Sequence, residues 1–386
     1  MSNKTQAIKV GIVGTGCIGR GLALLLSKLP EYQLVGILTR RKGPIGDLQV
    51  NQDLVTTSPQ RLMEKSDILV VSTGDALYST EIINMAFGFD LPVVTMDADT
   101  QVITGSWLSK RGQITESDGD QPGCLAILKE EITQMGFKPL VYGNIKGFLN
   151  QDPSVKDMDY WAKKQGFTLH SVTSFTDGTK LQIEQALVAN GLDASIARQG
   201  LIGERSADLE TGAMALAAEA SKTGIVMSDY IISPKAPPGV FIVAEHDTDL
   251  ASGLRTYKMG EGPFYLHYKP VHLCYFEIPK TLKRFYNTRE VLLSNGAVPT
   301  TGVAAVAKRE LSNGTFIDRG IGSFHVRGEA VKLADQPGMI PIGLLNQAWL
   351  KRKVEPGQIL TFDDVEIPES LALTAWLETV MTYQQL

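Results

Sequence analysis

A run rich in β-branched residues, Ile8 to Val13, leads directly into Gly14-Thr15-Gly16-Cys17-Ile18-Gly19 and then into the apolar stretch Gly21-Leu22-Ala23-Leu24-Leu25-Leu26. That order dictates a buried strand, a tight turn and a helix. The three glycines have separate duties. Gly14 allows the turn, Gly16 lets the backbone approach a ligand, and Gly19 lets the helix pack close to the strand. The free N–H groups at the helix start, those of Cys17 and Ile18 among them, then meet an anion at the turn. Tyr32 to Leu38 supplies the next strand, so the segment reads as the opening of a doubly wound parallel sheet that binds a dinucleotide.

The residue that selects the nucleotide falls about 20 residues beyond such a turn, where an acid would bond a ribose 2′-hydroxyl. Thr39-Arg40-Arg41-Lys42 stands there instead. Thr39, Arg40 and Arg41 are therefore assigned to the cofactor, and NADP(H) is favoured over NAD(H), because guanidiniums pair with a 2′-phosphate. Asp67 to Asp75 reads as a third buried strand, with Thr73 and Gly74 at its cofactor edge, and Leu91 to Asp99 as a fourth.

A chain of 386 residues exceeds what one core serves, so two or three domains are expected. The rhythm of strands and helices places a dinucleotide-binding Rossmann domain at 1–150, an α+β substrate domain at 151–298, and a compact β-rich module at 299–386 that looks separate from the catalytic part. The fold class is α/β. With 43% hydrophobic residues, 20% charged residues and a net charge of −5, nucleic acid is not expected as a partner, and no run is long enough to span a membrane. Met1 to Gln6 shows no apolar signal core, so a cytoplasmic location is expected. Cys17, Cys124 and Cys274 are too scattered for a disulfide framework or a metal-ligand pair.

Candidate chemistry concentrates in Thr173-Ser174-Phe175-Thr176-Asp177-Gly178-Thr179-Lys180 and the helix that follows. Lys180 and Glu184 are four apart on one helical face, and Asp177 stands near the N-cap, so an ammonium and two carboxylates can converge. Such a trio suits carbonyl reduction, with Lys180 supplying a proton or hydrogen bond to the developing alkoxide and the acids holding it charged. A surface ion pair is the plainer reading. Asn144 and Lys146, on a turn after a strand, are candidates to cradle a phosphate or carboxylate. His272 is a candidate substrate contact beside a strand. The acids of Glu116 to Gln121 read as a solvated loop, although they are candidates to hold a hard cation.

Taken together, these motifs resemble the homoserine-dehydrogenase-like NAD(P)-dependent oxidoreductases that carry a C-terminal SAF domain. The resemblance rests on GTGCIGRG at Gly14–Gly21, DGDQPG at Asp118–Gly123, GNIKG at Gly143–Gly147, SFTDGTKLQIEQALVANG at Ser174–Gly191, HLCYFEIP at His272–Pro279, and AVAKREL, PIGLL and LKRKVEPGQILTFDDVEIP in the last module. It implies a catalytic lysine at Lys180 with Asp177 beside it, and an anion held by Asn144 and Lys146. It extends to reductoisomerase-like enzymes, similar to deoxyxylulose-5-phosphate reductoisomerase of isoprenoid synthesis. The acidic segment Val93 to Asp99 replaces a lysine-containing one and argues against homoserine as the substrate.

The expected function is thus reduction of a small polar, phosphorylated or carboxylated carbonyl compound, with or without prior isomerisation. Mg²⁺ or Mn²⁺ is left open as an accessory, with Asp118, Asp120 or Glu184 as ligands; no fixed metal site is assigned. The rivals are a sugar-acid or homoserine-like dehydrogenase without rearrangement, and a non-catalytic NADPH-sensing protein. A homodimer is expected on general grounds.

Overall fold

The structure is a computed structural model that describes residues 7–43, 45, 46 and 48–384. Met1 to Gln6, read above for a leader, lie outside the described residues. The chain divides into two compact units built from non-consecutive stretches. One gathers Met1–Gly123, Leu273–Ala297 and Ser370–Leu386; the other gathers Cys124–His272 and Val298–Glu369.

The first unit is built on strands β1 (Ile8–Val13), β2 (Tyr32–Leu38), β3 (Val55–Thr56), β4 (Ile68–Val71), β5 (Val93–Thr95) and β6 (Ile114–Glu116). They form one parallel sheet in the order β3-β2-β1-β4-β5-β6, which is that of a doubly wound dinucleotide fold. The strands are buried almost without interruption because both faces are covered. Val10, Ile12, Val70 and Val94 meet Leu22, Ala23 and Leu26 on one face, and Val13, Leu69, Val71 and Val93 meet Ile82, Ile83 and Ala86 on the other. Later chain completes each layer. Ile278, Leu282 and Phe285 join the first, and Ala375 joins the second, which is why this unit reclaims two distant stretches.

The register aligns Val13 with Leu38 on one side and with Val71 on the other, and continues through Thr95 to Glu116. The segments that follow β1, β2, β4, β5 and β6 therefore leave the sheet at one edge. That edge is where a doubly wound sheet keeps its ligand.

The second unit carries β7 (Lys138–Lys146), β8 (Glu204–Arg205), β9 (Met227–Ile232), β10 (Val240–Glu245) and β11 (Phe264–Lys269) in a mixed sheet ordered β11-β10-β7-β9-β8. The helix Leu209–Thr223 covers one face. Its small residues Gly212, Ala213, Ala217 and Ala220 allow close approach, and Ala213, Ala217 and Ala220 pack on Val141, Ile145, Met227 and Ile231. A Cβ on Gly212 would come within 2.9 Å of Ser206. The remaining strands are β12 (Thr301–Ala307), β13 (Phe316–Arg319), β14 (Val326–Lys332), β15 (Asn346–Leu350) and β16 (Val365–Glu366), with β12 paired to β14 and β13-β15-β16 forming a small antiparallel sheet.

Two expectations change here. The segment Gly136 to Gly147 was assigned to the first domain, whereas β7 is the central strand of the second sheet; the outer place in the parallel sheet goes to β6, three residues too short to announce themselves by periodicity. The β-rich module was expected to stand apart from the catalytic part, yet it belongs to the same unit as the Lys180 helix. That helix, Thr179–Gly191, is buried nearly all round, and its polar side chains tie it to β12 and β14. Thr179 Oγ1 accepts the Gly328 N–H at 2.9 Å, Gln182 Oε1 accepts the Ala330 N–H at 2.8 Å, and Asn190 Oδ1 accepts the Thr301 N–H at 2.9 Å. These bonds satisfy sheet-edge donors that burial would otherwise leave orphaned.

Candidate functional site

The glycine turn in the first unit has the geometry its sequence implies. Gly14 takes a φ of +115°, and a Cβ there would strike the Ser72 carbonyl oxygen at 2.5 Å. A Cβ on Gly19 would lie 2.1 Å from the Gly14 carbonyl oxygen, so strand and helix touch backbone to backbone. At Gly16 nothing lies within 4 Å of an added Cβ, and Gly16 caps the helix Cys17–Leu26 without any side-chain hydrogen bond. An open approach to an uncapped helix start is what a pyrophosphate needs, so the turn fits a nicotinamide dinucleotide. Cys17 is exposed, Ile18 is half-buried against the core, and Thr15 Oγ1 lies 3.2 Å from Thr39 Oγ1, joining the ends of β1 and β2.

Arg40 follows directly. Its guanidinium makes an ion pair with Asp75 Oδ2 at 2.8 Å and lies over the Tyr78 ring, 4.3 Å from the centroid. Arg41 is exposed. Thr73 and Gly74 are held from below by Asp97, whose Oδ2 accepts from Thr73 Oγ1 at 3.3 Å, from the Gly74 N–H at 3.2 Å and from Ser79 Oγ at 3.0 Å. Gly74 therefore shapes the edge with a φ of +64° while its N–H is already engaged.

The acids at the end of β6 and just beyond it, expected to be solvated, are buried: Glu116, Asp118 and Asp120 all lie inside the protein. Asp118 is paired with the Lys280 ammonium, which also reaches Glu277 Oε1 at 3.1 Å. Burial without such a partner would cost several kcal/mol, and the lysine arrives from 162 positions along the chain, which spacing within the loop does not show. Desolvation lowers the Lys280 pKa, but its bonds and Coulomb attraction to Asp118 and Glu277 outweigh this and hold it above the usual lysine range.

In the second unit, Lys180 occupies the first turn of the helix Thr179–Gly191, partly exposed, and Glu184 lies one turn on, buried. Glu184 Oε2 accepts from Asn144 Nδ2 at 2.9 Å and sits 3.7 Å from Lys146 Nζ. The anion cradle assigned to Asn144 and Lys146 is thus gathered around a carboxylate of the chain itself. Asn144 Oδ1 is buried without a hydrogen-bond partner among the described residues. His272 lies past the end of β11, half-buried.

Asp177, assigned as a partner for Lys180, has its oxygens engaged elsewhere. Oδ1 accepts the Thr179 N–H at 2.8 Å, and Oδ2 meets Lys308 Nζ at 2.8 Å, both side chains fully buried. Lys308 also donates to the Ser323 carbonyl at 2.6 Å. Burial raises the Asp177 pKa, and Lys308 opposes that rise. Lys308 escaped the sequence reading because its partner is 131 positions away; the only local trace was a charged pair, Lys308-Arg309, ending the apolar run of β12. Asp229 was missed as well, since two of its donors, Ile202 and Gly203, lie 27 and 26 positions earlier. It accepts the backbone N–H groups of Ile202, Gly203 and Tyr230, and burial pushes its pKa up to about 6.

Comparison with known proteins adds the chemistry. Residues 119–278 match the family model of the oxidoreductase DRL catalytic domain. That match places a segment similar to an oxidoreductase catalytic domain in a chain that also carries a parallel sheet of doubly wound order. Over 72 residues it is 31% identical to a meso-diaminopimelate D-dehydrogenase of Lysinibacillus sphaericus, a match spanning 18% of this chain and 22% of that protein. Among solved structures it is similar to the UDP-N-acetylglucosamine 3-dehydrogenase GnnA of Acidithiobacillus ferrooxidans, with a TM-score of 0.43 and 11% identity over 75% of this chain and 93% of the other. It is also similar to a dehydrogenase (MviM) of Clostridium difficile, with a TM-score of 0.41 and 14% identity over 75% and 92% of the two chains. No helix among the described residues is long and apolar enough to cross a membrane.

Proposed function

We propose that the protein is an NADPH-dependent reductase of a small carbonyl compound carrying a phosphate or carboxylate, a reading that extends to reductoisomerase-like chemistry in which rearrangement precedes reduction. The observation that carries it is the open, uncapped helix start at Gly16, flanked at the end of β2 by Arg40 and Arg41 with no acid in the ribose position. The reduced nicotinamide supplies the hydride when bound. Lys180 stabilises the developing alkoxide and delivers its proton. Glu184 holds Lys146 and Asn144 in place, and the part-exposed Lys146 ammonium orients the anionic end of the substrate with its remaining N–H groups. Asp177, clasped by Lys308, fixes the start of the Lys180 helix rather than tuning the lysine directly.

A divalent cation belongs to the isomerising variant of this reading. Asp118 already faces Lys280, and Glu184 already faces Lys146, so a bound Mg²⁺ or Mn²⁺ would have to displace an ammonium in either place. The C-terminal strands are proposed as a SAF-like module that braces the catalytic helix. A cytoplasmic location and a homodimeric assembly complete the proposal.

The test is Lys180→Ala assayed against a panel of ketose phosphates and keto acids with NADPH. Loss of turnover with nucleotide affinity retained supports the assignment, and near-normal turnover refutes it. NMR analysis of the product separates reduction with rearrangement from plain dehydrogenation. Tight NADPH binding with no consumption across the panel favours a sensing role.

A further inference from the structure

Asp75 was not among the residues assigned to the cofactor, yet it is placed where cofactor choice is made. In the sheet, β1 lies between β2 and β4. An ion pair from Arg40, just past β2, to Asp75, four residues past β4, therefore crosses over the end of β1, where the glycine turn begins. Each Asp75 oxygen has its own task. Oδ1 accepts the Tyr78 N–H at 3.2 Å as the cap of the helix Ala76–Phe87, and Oδ2 holds the guanidinium. The Asp75 backbone N–H is anchored on Thr73 Oγ1 at 3.0 Å, so the carboxylate is fixed before any ligand arrives. The Asp75 side chain is 13% exposed and that of Arg40 is 60% exposed. One face of the guanidinium rests on Tyr78, leaving the other face and its remaining N–H groups toward solvent.

We infer that Asp75 is a specificity-determining residue: it competes with the ribose 2′-phosphate for Arg40 and so sets how strongly the site prefers NADPH over NADH. The inference rests on the nucleotide assignment above and deepens it. A carboxylate within 3 Å of the guanidinium offsets part of the positive potential that would attract a 2′-phosphate, and it repels that phosphate directly. NADH carries no such group and leaves the pair undisturbed. The same carboxylate stops Arg40 from swinging away, so the site keeps a defined but moderated preference for the phosphorylated nucleotide.

Asp75→Asn keeps an oxygen for the helix cap and removes the charge; Asp75→Ser does the same with a shorter side chain and stands in should the first variant lose structure. Dissociation constants for NADPH, NADH, 2′,5′-ADP and 5′-ADP are measured by calorimetry on the full-length protein at one low ionic strength. Asp75→Asn is expected to tighten NADPH and 2′,5′-ADP by about fivefold, with NADH and 5′-ADP changed less than about twofold. Arg40→Ala is expected to weaken NADPH by about tenfold, and in the Arg40→Ala background the Asp75 substitution loses its effect. An unchanged NADPH-to-NADH ratio in both Asp75 variants, or equal shifts for all four ligands, overturns the inference. Weakening of NADH and 5′-ADP alone also overturns it, since Asp75 would then be a ribose-hydroxyl acceptor. Absence of binding by any of the four to the unsubstituted protein refutes the nucleotide assignment itself.

Discussion

Two ion pairs, one in each unit, place the same chemistry in opposite surroundings. Arg40–Asp75 sits at the edge of the parallel sheet, with the arginine side chain 60% exposed; Lys308–Asp177 is closed off completely, both side chains 0% exposed. The exposed pair is screened by water and free to exchange partners, so it contributes little to stability and is available for recognition. The buried pair cannot exchange without leaving a charge in a dry interior, so it fixes the β12 end against the start of the Lys180 helix. Charge at the surface of a site serves selectivity, and charge beneath it holds the geometry.

The sharpest way to break this contrast is Lys308→Met. Leaving Asp177 uncompensated should lower unfolding free energy by roughly 3–5 kcal/mol in urea titrations, with part of the loss recovered by adding Asp177→Asn. A loss below about 1 kcal/mol would place the two pairs in the same class.

Asp229 tests a buried charge held mainly by backbone N–H groups. Its folded pKa of about 6 lies above the ordinary aspartate value of 3.8, so the folded state binds more protons than the unfolded state between those limits. This contribution favours folding most below pH 3.8 and is progressively withdrawn as pH rises to 6, by about 3 kcal/mol in all. Asp229→Asn lacks that dependence. The stability of the natural protein relative to the variant should therefore grow as pH falls from 7 toward 4, whatever the offset from altered hydrogen bonds. A constant difference across that range would show that the carboxylate is not desolvated.

Within the glycine turn, Gly19→Ala should cost roughly 1–3 kcal/mol, because the added carbon strikes the Gly14 backbone. Gly16→Ala meets nothing and should stay within about 1 kcal/mol, while its methyl occupies the nucleotide approach and weakens NADPH binding. Thermal melts with and without NADPH separate the two, since a bound ligand raises apparent stability only where its site survives. The smallest expected change is in Arg40→Ala, whose stability should move by less than about 1 kcal/mol although its affinity for NADPH falls. A large destabilisation there would mean that the edge pair is structural after all.

The parallel sheet was legible because its signals are local. A β-branched run, a glycine turn and an apolar helix lie within twenty residues, and no distant residue is needed to interpret them. The absence of an acid at the end of β2 was equally readable, as was the Lys180 helix. What surrounds that helix was not. Glu184 is read against Lys180 at helical spacing, and the structure adds Asn144 and Lys146 around it from β7, which that spacing does not show. Asp177 was read against the same lysine, while its partner, Lys308, comes from just past β12. The acids after β6 were read as solvated, while Lys280 lets Asp118 be buried.

The sequence by itself determined the doubly wound parallel sheet, its glycine turn and the basic residues beside it, since backbone sterics and residue spacing act over a few positions. Tertiary structure alone decided which charge meets which, how the later chain completes the first unit, and that the β-rich strands brace the Lys180 helix. Coulomb and desolvation energies depend on distance in space and on the surrounding dielectric, and separation along the chain encodes neither.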